Sequence, residues 1–295
     1  MSSPLVPRLQ LLAVAVLFST GGAGIKGSSF DAWQVTFLRS AIAAAALFVA
    51  LPAARRRWDA SVAGTGAAMA VTMMLFVAAN KLTTAAHAIF LQTTAPLYLL
   101  LLGPWLLREP IRRRDLAFVA LMAGGLALVF TGAQEPLASA PAPARGNLLA
   151  VAASLTWAFT LVGLRAMSRR EGSTSGTAAT TAVAGNVMAA VACAPAALPL
   201  PAAGPGDWAL IACLGLFQIG LAYVLFLSAI RRVSAFEAAM LLLLEPALNP
   251  LWAWLVHGER PATAALVGGA LIFLATGLKA WLDLRDYGSA AGNIA

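Results

Sequence analysis

The sequence predicts an all-α integral membrane protein with ten transmembrane helices, built as two inverted five-helix repeats with both termini in the cytoplasm. Three observations predict this fold class. Of the 295 residues, 60% are hydrophobic and only 11% are charged, which is more apolar surface than a soluble domain of this length can bury. The apolar residues fall into long runs, and part of the chain aligns with itself at an offset of 150 residues.

Ten apolar runs approach the roughly 20 residues that cross about 30 Å of hydrocarbon. Each run predicts a helix, because backbone polar groups in lipid must bond within their own segment. The runs cover residues 9–25, 32–51, 62–79, 85–107, 116–132, 147–167, 176–198, 208–230, 235–256 and 262–282. The one long connection, rich in Pro and Ala, predicts a flexible link. The expected organisation is a first repeat at 5–132, a linker at 133–145, a second repeat at 146–282 and a cytoplasmic tail at 283–295.

The basic residues predict the orientation, because cytoplasmic loops carry an excess of Lys and Arg. With the N-terminus inside, the cytoplasmic segments hold 15 Lys and Arg residues, including the clusters at 55–57 and 112–114. The opposite side holds four, which are Lys26, Lys81, Arg145 and Arg260. The excess alternates from loop to loop without exception. The excess of Arg over Lys and the abundance of Ala are typical of a GC-rich bacterium, so the expected location is the inner membrane.

An internal repeat is the third observation. At the offset of 150, the third and fourth runs fall on the eighth and ninth without a gap. The informative match is a Pro followed thirteen residues later by a Glu, which occurs as Pro96 with Glu109 and as Pro246 with Glu259. Five is an odd number of helices, so the second half must enter the membrane upside down relative to the first. Inverted repeats are typical of secondary transporters.

Four short strings carry a resemblance to a known family. They are Leu-Glu-Pro-Ala-Leu-Asn-Pro at 244–250, His-Gly-Glu-Arg-Pro at 257–261, Leu-Arg-Glu-Pro at 107–110 and Phe-Leu-Arg at 37–39. Together they resemble the motifs of the drug/metabolite transporter superfamily, EamA type. The overall likeness within that superfamily is greatest to an aromatic amino acid exporter. The resemblance implies export of small metabolites. The first half departs from the pattern, since Ala95 stands before Pro96 where the second half has a Glu.

Two charged residues lie deep inside predicted helices, where charge is expensive and usually functional or paired. Glu245 lies about 16 Å from the inner edge and Arg39 about 11 Å from the outer edge of a core about 30 Å thick. These depths differ by about 3 Å, so the two side chains are able to meet. A structural ion pair is one interpretation, and binding of a substrate charge or a proton is the other. The sequence leaves both open.

Uncharged side chains complete the predicted site. Amides are difficult to hide in lipid, and aromatic rings at mid-depth are able to line a pocket for an apolar group. The expected substrate-binding residues are Arg39, Tyr98, Trp157, Gln218, Tyr223, Glu245, Asn249 and Trp252. Pro96, Pro246 and Pro250 predict kinks beside this site, because each lacks a backbone N–H.

The expected function is export of amino acids, aromatic ones included, by alternating access. Export of cationic or amphipathic drugs, with Glu245 as the anchor, is the alternative. A channel and an intramembrane enzyme are further hypotheses, but no catalytic motif or P-loop occurs in the sequence. The expected partners are the small-molecule substrate and membrane lipid. No cofactor, metal or nucleotide is expected. Nucleic acid is not expected either, since the basic residues are divided among short loops.

Overall fold

The computed structural model describes residues 5–106, 113–131, 137–168, 175–230, 232–233 and 235–292. Over these residues the chain is helical apart from short connections and an isolated bridge between Leu137 and Ala140. The predicted motif at 107–110, the linker residues 133–136, Arg112, Arg169, Arg170 and Arg231 lie outside them. Helices α1 to α14 are, in order, Leu5–Ser19, Gly21–Gly27, Ala32–Ala50, Ala60–Leu82, Ala85–Gln92, Ala95–Leu106, Arg113–Thr131, Pro143–Ser168, Ser175–Ala197, Pro205–Cys213, Ala222–Ala229, Ala235–Leu242, Leu244–His257 and Thr263–Gly292.

Within the described ranges, nine helical segments are long and apolar enough to cross a membrane. Four of them combine successive helices: α1 with α2, α5 with α6, α10 with α11, and α12 with α13. The other five are α3, α4, α8, α9 and α14, and α7 supplies a shorter apolar stretch, Asp115–Thr131. The prediction of an all-helical chain with apolar segments of membrane-spanning length is therefore confirmed over the described residues. Helix α14 continues to Gly292, past the expected end of the last run at residue 282.

Three of the predicted helices are broken in their interior. The breaks lie at Thr20, at 93–94 and at Leu243. Two of them follow from proline, whose ring clashes with the carbonyl of the residue four positions earlier. That position is Gln92 for Pro96 and Leu242 for Pro246, and these are the last residues of α5 and α12. At Pro250, the third predicted kink, the helix is not broken, and α13 continues from Leu244 to His257.

Hydroxyl groups satisfy backbone carbonyls at two of these breaks. Thr20 Oγ1 donates to the carbonyl of Leu17 at 2.7 Å, and Thr94 Oγ1 donates to that of Leu91 at 2.6 Å. A carbonyl left unpaired in hydrocarbon costs several kcal/mol, and Ser and Thr are able to bond back to it. The broken helices are therefore compatible with the membrane interior.

Contacts between the connections define two ends of the bundle. At the first end, Lys81 Nζ donates to the carbonyl of Ser28 at 2.7 Å, and Asp207 Oδ1 accepts from the amide of Ser29 at 2.7 Å. Lys26 lies here as well, and this end is called the Lys26 end. At the other end, called the N-terminal end, Arg8 forms an ion pair with Glu237. Each membrane-crossing segment runs from one end to the other.

Candidate functional site

A cavity of about 400 Å³ lies between the helices and is called the central cavity. Helices from both halves of the chain line it, and the three broken segments contribute side chains next to their breaks. Its polar lining comprises Arg39, Thr72, Gln92, Thr93, Gln218, Glu245 and Thr276. Its aromatic and sulfur-containing lining comprises Phe18, Met69, Met73, Phe76, Trp157 and Tyr223. A cavity with a mostly apolar wall and a few polar groups is the usual form of a small-molecule site.

Five of the eight predicted site residues line the central cavity: Arg39, Trp157, Gln218, Tyr223 and Glu245. Their role in binding stays a prediction. The other three, Tyr98, Asn249 and Trp252, are not among the lining residues.

The position of Asn249 and Trp252 along α13 explains why they miss the cavity. They lie four and seven residues after Glu245, on the same helical face but closer to the Lys26 end. There α13 packs on α1 and α2. Trp252 Nε1 donates to Ser19 Oγ at 2.9 Å, and Asn249 is buried against Gly22. An amide or an aromatic ring deep in a helix is able to face a neighbouring helix as well as a cavity, and these two side chains face α1 and α2.

Arg39 is almost fully buried, with 2% of its surface exposed. Its Nη1 donates to Gln218 Oε1 at 3.4 Å, which is a long hydrogen bond, and its Nε has no partner among the described residues. The possible ion pair with Glu245 does not form in this structure. Depth along two helices fixes height in the membrane but not lateral distance. The guanidinium therefore faces the central cavity without a counter-charge.

Glu245 lies in the first turn of α13, directly after the break at Leu243. A carboxylate is favourable at this position, because the N-terminus of a helix carries a partial positive charge. The side chain is half-buried and lines the central cavity. Within the described part of the chain it has neither an ion pair nor a hydrogen bond. The cavity thus holds one cationic and one anionic group that do not neutralise each other.

A π-helical segment, Leu214–Leu221, places Gln218 beside Arg39. Such wide turns are rare and frequently occur at functional sites. The segment packs closely on α3, since a Cβ at Gly215 would lie 2.6 Å from the Cβ of Ile42. Gln218 is buried between Arg39 and Gly21. A Cβ added at Gly21 would lie 2.9 Å from Gln218 Nε2. The sequence predicted the residue but not the π-helical turn that directs it inward.

Several lining residues were not predicted from the sequence. On α4, Met69, Thr72, Met73 and Phe76 repeat at intervals of three or four residues and line one wall. This spacing marks one face of a helix. In a helix that is apolar all round, the same pattern is equally typical of ordinary packing. Phe18 also escaped prediction, and its ring meets that of Tyr223 edge-on at a centroid distance of 5.6 Å.

No group of three or more His, Cys, Asp or Glu side chains able to hold a metal ion occurs in the part of the chain that the structure describes. The central cavity offers one guanidinium, one carboxylate, two amides, three threonine hydroxyl groups and an aromatic wall that includes the Tyr223 phenol.

Comparison with known proteins gives a consistent result. A model of the EamA-like transporter family matches residues 8–131 and again residues 144–279. An uncharacterized protein of Pseudomonas aeruginosa is 30% identical over 293 residues, a match that covers 91% of this chain and 95% of that protein. A crystal structure of another protein, at 23% identity, superposes with a TM-score of 0.61 and covers 96% of this chain and 99% of that one. At that identity the likeness shows the fold alone.

Proposed function

The chain belongs to the EamA-like transporter family, and from this premise we propose that it exports amino acids, aromatic ones included, across the bacterial inner membrane by alternating access. Family membership and the apolar helices make it a multi-pass membrane transporter of small molecules. The choice of amino acids as substrates rests on the chemistry of the central cavity.

One observation carries the proposal: Arg39 and Glu245 both line the cavity, and neither has an ionic partner among the described residues. Holding an unpaired charge away from water is costly. A ligand with one negative and one positive group would neutralise both. An amino acid zwitterion is a small molecule of this kind, and charge-assisted hydrogen bonds to its two ends are the strong ones.

Each part of the zwitterion has a proposed contact. Arg39, steadied by Gln218, takes the carboxylate, and Glu245 takes the ammonium group. The side chain of the substrate enters the aromatic and methionine-lined part of the wall, where Trp157 and Tyr223 are able to pack on a ring. Methionine side chains adapt to ligands of different shape, which supports acceptance of more than one amino acid.

Export of cationic, amphipathic drugs is the second candidate. It is favoured by the unpaired carboxylate of Glu245 beside aromatic rings, an arrangement that also suits a ligand with positive charge alone. The two candidates differ in their need for Arg39, because a cationic drug gains nothing from a guanidinium.

The test is uptake into proteoliposomes of radiolabelled phenylalanine, of phenethylamine, which lacks the carboxylate, and of a cationic dye. Saturable phenylalanine uptake that Arg39→Gln reduces at least about tenfold, with little change for phenethylamine, is expected from loss of a charge-assisted bond of about 1.5–3 kcal/mol. Dye uptake without phenylalanine uptake, unaffected by Arg39→Gln, would favour the drug exporter.

The proposed architecture has two five-helix repeats of opposite orientation, with the N-terminal end of the bundle in the cytoplasm. The two separate matches of the family model, on either side of residues 132–143, support the repeats. The distribution of Lys and Arg supports the orientation. In this arrangement the Lys26 end faces the periplasm.

A further inference from the structure

A buried ion pair joins Lys26 and Glu259 at the Lys26 end. Lys26 Nζ lies 2.9 Å from Glu259 Oε1, and each side chain is only 2% exposed. The second carboxylate oxygen of Glu259 accepts a hydrogen bond from the backbone amide of Ala85 at 2.9 Å. Ala85 begins α5, so the carboxylate also lies against a helix N-terminus. Glu259 is thus held by two separate partners.

The partners of Glu259 belong to different parts of the bundle. Lys26 lies in α2, Ala85 begins α5, and Glu259 follows the C-terminal residue of α13 by two positions. Lys26 also donates to the carbonyls of Thr83, at 2.7 Å, and of Ser139. The cation therefore stays attached to the α4–α5 connection and to the linker even without Glu259. His257, the last residue of α13, is also bonded to α2, since its Nε2 lies 2.8 Å from the carbonyl of Ala23. Glu259 is the charged link, and it joins the end of α13 to α5 as well as to α2.

Helix α13 is separated from the preceding helix at the level of the cavity. Its start at Leu244 follows the break at Leu243, and Leu242 and Glu245 on either side line the central cavity. At its other end Gly258 adopts a positive φ of 67°. Toward the Lys26 end the cavity is covered by buried residues, including all of 85–91. Among the lining residues themselves, Leu161, Tyr223 and Ala239 are half-buried, and so are Phe76 and Gln92.

We propose that α13 is a lid over the Lys26 end of the central cavity, hinged at Leu243 and latched shut by Glu259. Opening moves Glu259 away from Lys26 and from the Ala85 amide, and water then solvates the charges on both sides. This inference rests on the proposed transport function, since it supplies the step that exposes the cavity to the second side of the membrane.

The energetics of a buried ion pair suit such a latch. Two opposite charges have a comparable free energy when they are buried as a pair and when they are separated in water. A buried charge without its partner is strongly disfavoured. The latch therefore favours two end states over partly open ones, which is the bistable behaviour that conformational switching requires. The contact of Glu245 and Leu242 with the cavity gives a bound substrate direct access to the hinge.

The first test measures access to the cavity and needs no knowledge of the substrate. Thr93→Cys, in a chain with Cys193 and Cys213 replaced by Ala, is labelled with a membrane-impermeant maleimide from the Lys26 side. Gly204 is exposed at the Lys26 end, so labelling of a separate Gly204→Cys variant shows that the reagent reaches this side. Glu259→Gln is expected to raise the labelling rate at residue 93 at least about tenfold. The matched control is Asp207→Asn, a carboxylate of the same end outside the latch, which should leave the rate unchanged.

A second variant keeps the latch intact and closes the lid covalently. A Cβ at Gly27 would lie 3.6 Å from His257 Cε1, so Gly27→Cys and His257→Cys are close enough to be bridged across α2 and α13 by a short, reducible bis-methanethiosulfonate reagent added from the Lys26 side. Bridging should abolish labelling of Thr93→Cys from the Lys26 side, measured at that residue by mass spectrometry, and reduction should restore it.

Unchanged labelling in folded Glu259→Gln protein, or undiminished labelling in the bridged protein, would overturn the latch. The bridged protein decides the question if Glu259→Gln does not fold. Because both readouts report access to the cavity, they stand even if the protein proves not to carry amino acids. If the wild-type protein takes up no amino acid but both labelling results are as expected, only the proposed substrate is refuted.

Discussion

Single residues show which parts of the site are predictable from the sequence and which are not. Arg39 and Glu245 were predictable because an ionisable side chain inside an apolar run has few acceptable positions. Whether they pair was not predictable, since helix depth carries no lateral information. The structure places both at the central cavity without an ion pair. Because the two charges do not pair, the effects of the two single substitutions on stability should be independent of each other.

The first prediction concerns these two charges. Because neither neutralises the other, Arg39→Gln and Glu245→Gln should each leave the thermal unfolding midpoint unchanged or raised, since a desolvated charge disfavours the folded state. Each should lower phenylalanine uptake at least about tenfold, and the double variant should do no better than either single one. Thermal unfolding and proteoliposome uptake measure the two effects. Recovery of folded yield in the double variant would show that the charges pair.

The second prediction assigns a structural role to Trp252, which was expected to bind substrate. Its indole donates to Ser19 Oγ and joins α13 to the end of α1. Trp252→Phe should lower the free energy of unfolding by about 0.5–1.5 kcal/mol for the lost hydrogen bond, with KM for phenylalanine unchanged. Ser19→Ala is the matched partner for a double-mutant cycle. A raised KM for phenylalanine at unchanged stability would show that Trp252 takes part in substrate binding.

At the scale of the helix, composition and run length are enough to predict where the helices lie in the sequence. They do not predict where a helix is broken. All the predicted runs correspond to helices where the structure describes them. Proline located the breaks at 93–94 and Leu243, through the clash with the residue four positions earlier. Nothing in the sequence distinguished Pro250, which leaves α13 intact, or announced the π-helical segment at Leu214–Leu221. Those outcomes depend on neighbouring helices rather than on local sequence.

The third prediction tests the contact between the α1–α2 break and α13. An added Cβ at Gly22 would lie 2.5 Å from Asn249 Oδ1 and 3.0 Å from the Cβ of Ala85, whereas one at Gly64 would meet nothing within 4 Å. Gly22→Ala should therefore destabilise the protein by about 1–3 kcal/mol through overpacking. Gly64→Ala, also within a helix, should be neutral or stabilising by up to about 1 kcal/mol. Thermal unfolding of the two purified variants compares them, and equal midpoints would mean that α2 and α13 are not packed this closely.

For the whole molecule, the repeat was visible in the sequence because both halves keep a Pro with a Glu thirteen residues later. The family model matches two separate stretches, residues 8–131 and 144–279. The cavity between the halves was not predictable in detail, since side chains from many segments converge on it. The fourth prediction is that, in an experimentally determined structure, residues 5–132 superpose on 146–282 by rotation about an axis in the membrane plane. Superposition about an axis along the membrane normal would exclude inverted repeats.

The last prediction is the orientation of the bundle. Fifteen of the 20 Lys and Arg residues fall on the N-terminal side of the alternating loops and four on the Lys26 side, so the positive-inside rule places the N-terminal end in the cytoplasm. Arg113→Cys, in a background without Cys193 and Cys213, should then react with an impermeant maleimide only in inside-out vesicles. Gly204→Cys should react only in intact cells. Labelling of residue 113 from outside would reverse the orientation and would place the proposed lid on the cytoplasmic side of the membrane.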